Sequence, residues 1–417
     1  MSRFQSFFRR AYRLRPLESR AHDHIAQLRI DGPKASKNLL LPYAIGLGYF
    51  AIPAAAGGLV IEAADFRVER LDALTSLWVR LRLALLFKKK KYLTFEDFSV
   101  FSYGPKPERK RFTTFNQHMF NIGVSLDGDL IAAHPELLDG WDDEAAPRRA
   151  PIRSTGPNPL AIVVHIYYEE TWGDIAGVLR RVAVPFDLIV TTTPGREPLI
   201  ETIRGQFPHA EIEVMENRGR DVRPFLTLLE RGRLDRYKYV CKVHGKKSTD
   251  GGRKSYMGSL WRRRLLFDLL AAPGLAQSIL DLFERDPSIG MVGPSAFRLP
   301  SATYSEELSW SINKDRVLAL AERMGVQRDR FRLDFFGGTM FWVRPEALAP
   351  LRRLALSGDF PEERGLLDGG LEHAAERLFG AAVVAAGFRL ADSDGYGAKA
   401  GESGAVAAAG RKRTGLG

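Results

Sequence analysis

The chain has 417 residues, 45% of them hydrophobic and 27% charged, which is the composition of a globular protein with one large or two medium domains. Its net charge of +11 favours nucleic acid, anionic lipid or phosphate-rich ligands as partners. The single cysteine, Cys241, excludes an intramolecular disulfide, and its apolar neighbours predict a buried thiol in a reducing compartment.

Residues 1–150 are predicted to form an accessory region that associates with a membrane. The first 16 residues contain five arginines, no acid and several aromatic residues at helical spacing, which predicts an amphipathic helix on an anionic membrane. The 23 uncharged residues Leu39–Ile61 are long enough to cross a bilayer. Their two prolines and four glycines favour a buried segment or an interfacial hairpin instead.

A very apolar helix is predicted over Leu71–Phe87, followed directly by Lys88–Lys91. This arrangement is typical of a surface that meets anionic headgroups. A helix packed on the domain beside a solvated lysine run explains it equally well. The first interpretation predicts a cytoplasmic protein that lies peripherally on the inner face of the plasma membrane.

A connector rich in proline and arginine precedes residue 159 and predicts a domain boundary. Before it lie two aspartate pairs, Asp127–Asp129 and Asp142–Asp143, of a kind that can bind a metal. The sequence around the first pair also suits a hairpin turn. At the other end, residues 397–417 are rich in glycine and alanine, and we expect this tail to be disordered.

Residues 159–395 predict a mostly parallel α/β sheet flanked by helices. Three strand-like runs, Pro159–Tyr168, Phe186–Thr192 and Ile212–Met215, alternate with helical patterns, the first of which Asp174 is predicted to cap. Such a sheet binds ligands at the carboxyl ends of its strands, where the polar motifs of this chain occur.

The first strand carries His165, which we expect to be buried and hydrogen-bonded. Tyr167 and Glu169 follow at the end of this strand, where they can meet the hydroxyls or the base edge of a ligand. The alternative for Glu169 is a solvated loop. We assign all three residues to donor binding.

The segment Asn217, Arg218, Gly219, Arg220 and Asp221 follows the third strand. Gly219 allows a tight turn and Asp221 can cap the next helix, whose N-terminus favours an anion. The two arginines supply bidentate donors for phosphate, although an arginine cluster can also be solvated surface.

The next strand ends in Lys242, His244, Lys246 and Lys247, without a carboxylate. Many nucleotide-sugar transferases place an aspartate pair and a divalent metal at the corresponding position. Cations can neutralise a diphosphate leaving group directly, so no divalent metal or other cofactor is expected. The alternative is a lysine-rich hairpin tip.

Two later motifs complete the predicted cleft. Gly337, Gly338, Thr339 and Met340 let the backbone approach an acceptor, whereas the aromatic residues that follow are expected in the core. Further on, a predicted helix carries the candidate catalytic residues Glu372, His373 and Glu376. A carboxylate there can deprotonate an acceptor hydroxyl, and a plain surface helix is the alternative.

The four motifs VHIYYEETW, ENRGRDVRPF, KVHGKKS and FFGGTMFWVR, together with the EHAAERLF helix, resemble the rhamnan synthesis protein F family of bacterial polysaccharide glycosyltransferases. The order of NRGRD, K-H-KK and GGTMFW is the specific part of this resemblance. The resemblance covers about residues 159–390, and its element order looks like the GT-A glycosyltransferase fold. It implies inverting transfer of rhamnose or a related deoxyhexose from a nucleotide sugar to a polysaccharide or lipid-linked glycan.

Two other classes of protein share some of these features. A non-catalytic scaffold of a polysaccharide assembly complex would have the same fold with a lapsed site. A nucleic-acid-binding protein would explain the charge, but no basic groove interleaved with aromatic residues is visible, so nucleic acid is not expected as a partner.

Overall fold

In the computed structural model, the described residues are 11–17, 24–34, 36–43, 50–53, 59–64, 66–85, 92–94, 98–102, 109, 112, 128–141, 158–245, 247, 255–300, 305–363, 365–366 and 368–393. The chain packs as two compact units, Met1–Gly140 with Lys247–Trp261 and Trp141–Lys246 with Arg262–Gly417. Outside the described residues lie the first ten residues and the predicted disordered tail, together with Lys88–Lys91, Asp127, Asp142–Asp143 and Lys246.

The described part of the first unit is built mainly from antiparallel strands. Its elements in chain order are β1 (Ala11–Pro16), β2 (His24–Asp31), β3 (Ser36–Tyr43), β4 (Phe50–Pro53), β5 (Val60–Glu62), β6 (Phe66–Arg70), α1 (Ala73–Ala84), β7 (Tyr92–Thr94), β8 (Ser99–Ser102), α2 (Gly128–Ala133) and α3 (Glu136–Asp139). One sheet has the order β6-β1-β4-β8-β7 and the other the order β3-β2-β5. Asp129 lies in α2, so the alternative of a hairpin turn is wrong there.

The predicted helix over the first 16 residues is wrong for residues 11–16, which form β1 between β4 and β6. The segment alternates residue by residue, since Tyr12 and Leu14 are buried while Arg13 and Arg15 both pair with Glu69. A period of two residues is that of a strand. The same aromatic and basic residues also match a helical spacing, which explains the error.

The predicted buried segment or hairpin over Leu39–Ile61 is resolved into separate strands, β3, β4 and the start of β5. Leu41 and Ile52 are fully buried in the core of this unit. Among the described residues, no single helix is long and apolar enough to cross a bilayer. The predicted helix that follows is confirmed as α1, and Asp72 caps it by accepting the Thr75 backbone N–H at 2.9 Å.

The second unit alternates strands and helices, as predicted. Its elements are β9 (Leu160–Ile166), α4 (Trp172–Leu179), β10 (Asp187–Thr192), α5 (Glu197–Gln206), β11 (Glu211–Val214), α6 (Val222–Glu230), β12 (Tyr239–His244), α7 (Ser255–Leu266, which begins in the first unit), α8 (Leu275–Arg285), β13 (Ile289–Pro294), β14 (Arg298–Leu299), α9 (Glu306–Trp310), α10 (Lys314–Arg323), β15 (Phe335–Phe336), β16 (Phe341–Val343), α11 (Ala349–Arg352), α12 (Leu371–Ala385) and β17 (Arg389–Ser393).

The main sheet of this unit has seven strands in the order β11-β10-β9-β12-β16-β13-β17. The first four are parallel, β16 is antiparallel to both of its neighbours, and β17 is parallel to β13. All seven residues of β9 are buried, because helices cover both faces of a parallel sheet. The order reverses between β9 and β12, and the carboxyl ends of strands at such a point form a ligand crevice.

Two side chains expected to cap helices have other partners. Asp174 lies in the first turn of α4 and forms ion pairs with Arg262 at 2.5 Å and Arg263 at 2.9 Å. Asp221 holds the N-cap position of α6, but its side chain makes no hydrogen bond to that helix. Both carboxylates bind cations from distant segments, which no local pattern of sequence can indicate.

The core of the second unit confirms the prediction for the aromatic run in β16. Trp342 is fully buried, and its indole N–H donates to the Leu269 carbonyl oxygen at 3.0 Å. Phe341 packs against Phe379 of α12, with ring centroids 5.0 Å apart. Cys241 is also fully buried and its thiol is free, as predicted.

Helix α12 crosses the core so closely that Gly380 has no room for a side chain. A Cβ atom there would lie 1.9 Å from the backbone carbonyl oxygen of Asp334. We expect Gly380→Ala to lower the free energy of unfolding by about 1–3 kcal/mol through overpacking. Chemical denaturation measures the change.

The control is Gly205→Ala in α5, where an added Cβ would meet no atom within 4 Å. That substitution should leave stability unchanged or raise it by up to about 1 kcal/mol, because alanine favours a helix more than glycine does. Equal effects of the two substitutions would contradict the packing described for α12.

Candidate active site

The candidate site lies at the carboxyl ends of β9 and β12, where the strand order reverses. His165 and His244 occupy paired positions of these strands, and the Gly245 backbone N–H donates to the His165 carbonyl oxygen at 2.9 Å. Both histidine side chains are buried. The parallel register therefore brings two of the predicted donor-binding residues to one edge of the sheet.

Asp221 is the centre of a polar cluster at this edge. Its Oδ2 accepts from the Lys242 ammonium at 2.6 Å and from the Thr339 hydroxyl. The Lys242 side chain is only 2% exposed, and it also donates to the Thr339 carbonyl oxygen at 2.8 Å. Lys242 thus contacts Asp221 and the turn at Thr339 rather than solvent, and it connects three segments.

His244 completes the cluster from the end of β12. Its Nε2 lies 2.8 Å from the Gly338 carbonyl oxygen and 3.7 Å from Asp221 Oδ2. A carbonyl oxygen can only accept, so Nε2 carries a proton. Gly338 and Thr339 have positive φ values of +94° and +52°, so the ion pair and His244 together hold a turn of unusual backbone conformation.

Charges around Asp221 determine its ionisation. Burial by itself raises its pKa, but the charges of His244 and Lys242 and the hydrogen bonds from Lys242 and Thr339 outweigh burial, so the pKa lies well below its ordinary value. Burial lowers the pKa of His165 to about 4, an effect that Asp221 opposes and Lys242 reinforces. At neutral pH, Asp221 is therefore an anion and His165 is a neutral side chain, within hydrogen-bonding distance of the Thr191 hydroxyl at 3.0 Å.

Helix α12 brings a partly exposed carboxylate to this cluster. The Gly338 backbone N–H donates to Glu376 Oε1 at 2.6 Å, and the Glu376 side chain is 22% exposed. Glu372 has a side chain only 9% exposed, and its Oε1 lies 3.3 Å from His373 Nδ1. Of the two predicted carboxylates, Glu376 is thus the one that is accessible to solvent and that contacts the turn at Gly338 and Thr339, which we call the glycine turn.

The segment Asn217–Asp221 before α6, which we call the arginine turn, has the backbone conformation that its sequence predicts. Gly219 has a φ of +61°, and a Cβ there would lie 2.3 Å from the Phe360 ring. Arg220 also has a positive φ, and its guanidinium lies 3.4 Å from Glu363 and 3.3 Å from His373 Nε2. The turn is therefore connected to α12 through His373, and the Arg220 side chain remains 40% exposed.

A second polar group follows β9 and β10. Glu169 pairs with Arg196 at 3.1 Å, and the Arg196 guanidinium lies 5.4 Å from the centroid of the Tyr167 ring. Sequence reasoning missed Arg196, although it follows the second parallel strand by four residues, and the strand-end rule would have found it. Glu363 was missed too, and its loop carries no signal in the sequence.

The other predicted residues have varied surroundings. Asn217 and Lys247 are exposed, whereas Met340 is fully buried and so contributes packing. The Arg218 side chain is 36% exposed and lies 3.2 Å from Glu216. The Gly337 backbone N–H donates to the Phe297 carbonyl oxygen at 2.8 Å.

The residues at this site can be compared with the needs of two kinds of ligand, a metal ion and an anion. Within the described ranges, no three His, Cys, Asp or Glu side chains are grouped closely enough to hold a metal ion. The partly exposed guanidinium groups of Arg218 and Arg220 suit an anionic ligand such as a phosphate.

Comparison with known proteins agrees with the motifs. A sequence model of the family described as Rhamnan synthesis protein F matches residues 148–388, more than half of the chain. The chain belongs to this family. Membership confirms the resemblance carried by the four motifs.

Curated relatives are found in two strains of Xanthomonas campestris pv. campestris, where they are described as uncharacterized protein WxcX. Each is 32% identical over 270 residues, which is 63% of this chain and 37% of the relative. The chain thus spans little more than a third of the length of these relatives.

The buried ion pair predicts a specific pattern of stability. We expect Asp221→Asn to lower the free energy of unfolding by about 3–5 kcal/mol, because the Lys242 ammonium would be left buried without a counter-charge. The double variant Asp221→Asn with Lys242→Met should lose less than Asp221→Asn alone, since the unpaired charge is then absent.

Urea denaturation of the wild type, both single variants and the double variant measures this coupling. Costs that simply add would show that the two side chains do not depend on each other.

Proposed function

We propose that this chain carries a glycosyltransferase site in its second unit, which moves rhamnose or a related deoxyhexose from a nucleotide sugar to a polysaccharide or lipid-linked glycan. Three findings support this proposal. The chain belongs to the rhamnan synthesis protein F family. In the main sheet of the second unit, four parallel strands are followed by the antiparallel strand β16, an element order like that of GT-A transferases. Its polar residues gather at the carboxyl edge of the parallel strands.

The observation that carries the proposal is the position of Glu376. Its carboxylate is held by the Gly338 backbone N–H at 2.6 Å, beside the cluster of Asp221, Lys242, His244 and Thr339. A general base must be fixed in place and reachable by the hydroxyl from which it takes a proton. Glu376 meets both requirements, because its side chain is hydrogen-bonded yet 22% exposed.

The proposed reaction is a single displacement. The acceptor hydroxyl gives its proton to Glu376 while its oxygen forms a bond to the anomeric carbon of the donor sugar. The bond from that carbon to the diphosphate oxygen breaks, and its electron pair leaves with the nucleoside diphosphate. Attack from the face opposite the leaving group inverts the anomeric carbon.

The donor diphosphate is proposed to bind at the arginine turn. Arg218 and Arg220 are both partly exposed there and can reach a phosphate as bidentate donors. The group formed by Tyr167, Glu169 and Arg196 lies after the neighbouring strands, and it supplies an aromatic face and a carboxylate for a nucleoside. The role of Lys246 and Lys247 in offsetting leaving-group charge stays a prediction from the sequence, because Lys246 lies outside the described residues and Lys247 belongs to the first unit. Transfer without a divalent metal stays a prediction as well.

A scaffold function in a polysaccharide assembly complex is the second candidate. It is favoured by one observation, that Lys242 and Arg220 already have internal carboxylate partners, Asp221 and Glu363. Turnover distinguishes the two candidates, because a scaffold would bind a nucleotide sugar or glycan without releasing a nucleoside diphosphate.

The base assignment predicts the behaviour of Glu376→Gln. Glutamine keeps an oxygen that can accept the Gly338 N–H but cannot take a proton, so folding should be retained. Transfer should fall by about 10²–10⁴-fold, the usual contribution of general base catalysis. The measurement is release of nucleoside diphosphate from a panel of dTDP-, GDP- and UDP-sugars in the presence of a glycan acceptor.

The matched control is Glu322→Gln, which changes a partly exposed glutamate of α10. It should transfer at the wild-type rate. Wild-type turnover by Glu376→Gln would remove that residue from the mechanism, and no turnover by the wild type itself would favour the scaffold.

The donor site predicts a loss of affinity in Arg220→Ala. Losing a charged hydrogen bond to phosphate should weaken binding of the donor by about 1.5–3 kcal/mol in a calorimetric titration. The ligand is the nucleotide sugar that gives the largest thermal shift to the wild type, because binding to the folded state raises the melting temperature.

Arg233→Ala is the control for this titration. Arg233 has a similarly exposed side chain and two carboxylate partners, Glu211 at 2.8 Å and Glu213 at 3.1 Å, but it precedes β12 and so lies at the opposite edge of the sheet. Its loss should leave donor affinity unchanged. Equal affinities of both variants would refute phosphate binding at the arginine turn.

A further inference from the structure

Helix α1 of the first unit presents its most apolar residues to solvent. Five large apolar side chains of this helix and its C-cap are exposed, namely Leu74 (81%), Leu77 (36%), Trp78 (49%), Leu81 (48%) and Leu85 (67%). They recur at steps of three and four residues, so they form one continuous stripe along the helix. A stripe of this kind ordinarily faces the core of a domain, and here it does not.

The opposite face attaches the helix to its domain. Ser76 and Val79 are buried, and Val79 packs with Ala11 of β1 and Phe101 of β8. Asp72 fixes the N-terminus by accepting the Thr75 backbone N–H. The helix is therefore held in position by the fold, and its exposed stripe needs no further folding to bind a partner.

Charge identifies the kind of partner. Between Ala73 and Lys91 the sequence contains six basic residues and no acidic one, and Lys88–Lys91 follow Leu85 by only three to six residues. Arg82 lies against the edge of the stripe, with its guanidinium 4.8 Å from the centroid of the Trp78 ring.

An apolar stripe of leucine and tryptophan beside charge of one sign matches the interface of an anionic bilayer. Leucine and tryptophan enter the boundary between acyl chains and headgroups, while arginine and lysine remain among the phosphates. We propose that α1 is a preformed docking helix, and that it binds the first unit to membranes containing anionic lipid. Of the five arginines in the first 16 residues, Arg13 and Arg15 lie in strand β1 and pair with Glu69, so the proposed contact is argued from α1.

The proposal is independent of the transferase activity, and vesicle sedimentation tests it directly. The full chain should sediment with vesicles of phosphatidylglycerol and phosphatidylcholine, and binding should weaken at high salt because screening reduces attraction between exposed charges. The double variant Leu74→Ser with Leu81→Ser should bind about ten-fold or more weakly, because each buried leucine contributes transfer free energy. Its melting temperature should change little, because Leu74 is 81% exposed and Leu81 is 48% exposed.

The matched control is the double variant Leu308→Ser with Ile312→Ser. These two side chains are 61% and 76% exposed on the second unit, four residues apart. The control removes as much exposed apolar surface as the test variant and should sediment like the wild type. Equal loss in both variants would overturn the assignment to α1.

Tryptophan fluorescence gives a second readout. Of the six tryptophans, all in the described residues, Trp78 alone is exposed, so membrane insertion should shift its emission to shorter wavelength. Trp78→Phe should keep vesicle binding and lose the shift. Absence of a shift in the wild type, salt-independent binding to purely neutral vesicles, or a dimer that only the α1 variant abolishes would each refute membrane docking by this helix.

Discussion

The buried ion pair between Asp221 and Lys242 is the interaction on which the candidate site depends. It joins the N-terminus of α6, the strand β12 and the turn at Thr339, three segments separated by many residues in the sequence. Lys242 is too deeply buried to keep its charge without this carboxylate. The pair therefore fixes the relative position of the arginine turn and the glycine turn, and it does so with side chains that are withdrawn from solvent.

Helix α12 adds a second connection between the same two turns. His373 lies beside Arg220, and one helical turn away Glu376 accepts a hydrogen bond from Gly338. The close approach of Gly380 to Asp334 allows the helix to run this near to the core. The residues proposed to bind the donor and to take a proton from the acceptor are thus carried by one rigid framework. Positive φ values at Gly219, Arg220 and Thr339 are maintained by these contacts.

In the first unit, similar mixtures of basic and apolar residues form a strand in β1 and a helix in α1. The basic and aromatic residues of β1 match a helical spacing, yet hydrogen bonds to β4 and β6 on both sides make the segment a strand. In α1, by contrast, the helical period is correct and the orientation is unusual, because most of its large apolar residues are exposed while Val79 and Leu83 pack toward the sheet. Periodicity identifies the type of an element only when one period clearly prevails, and it does not say which face is covered.

The sequence by itself determined the parallel α/β arrangement of the second unit, since continuous buried runs such as β9 are specific to strands covered on both faces. It also indicated the turn at Gly219, because glycine adopts a positive φ without the steric cost that a Cβ adds. The family followed from the order of the four motifs. These are properties of local segments and of their succession along the chain.

Only the tertiary structure decided which charged side chains remain available to bind a ligand. Asp221 was expected to cap its helix and Lys242 to face the donor, but each has the other as its partner across 21 positions of sequence. Arg196 and Glu363 joined the site because their loops end near it. The partner of such a side chain depends on the distance between segments after folding and on the free-energy cost of leaving a buried charge unpaired. A local sequence pattern predicts neither quantity.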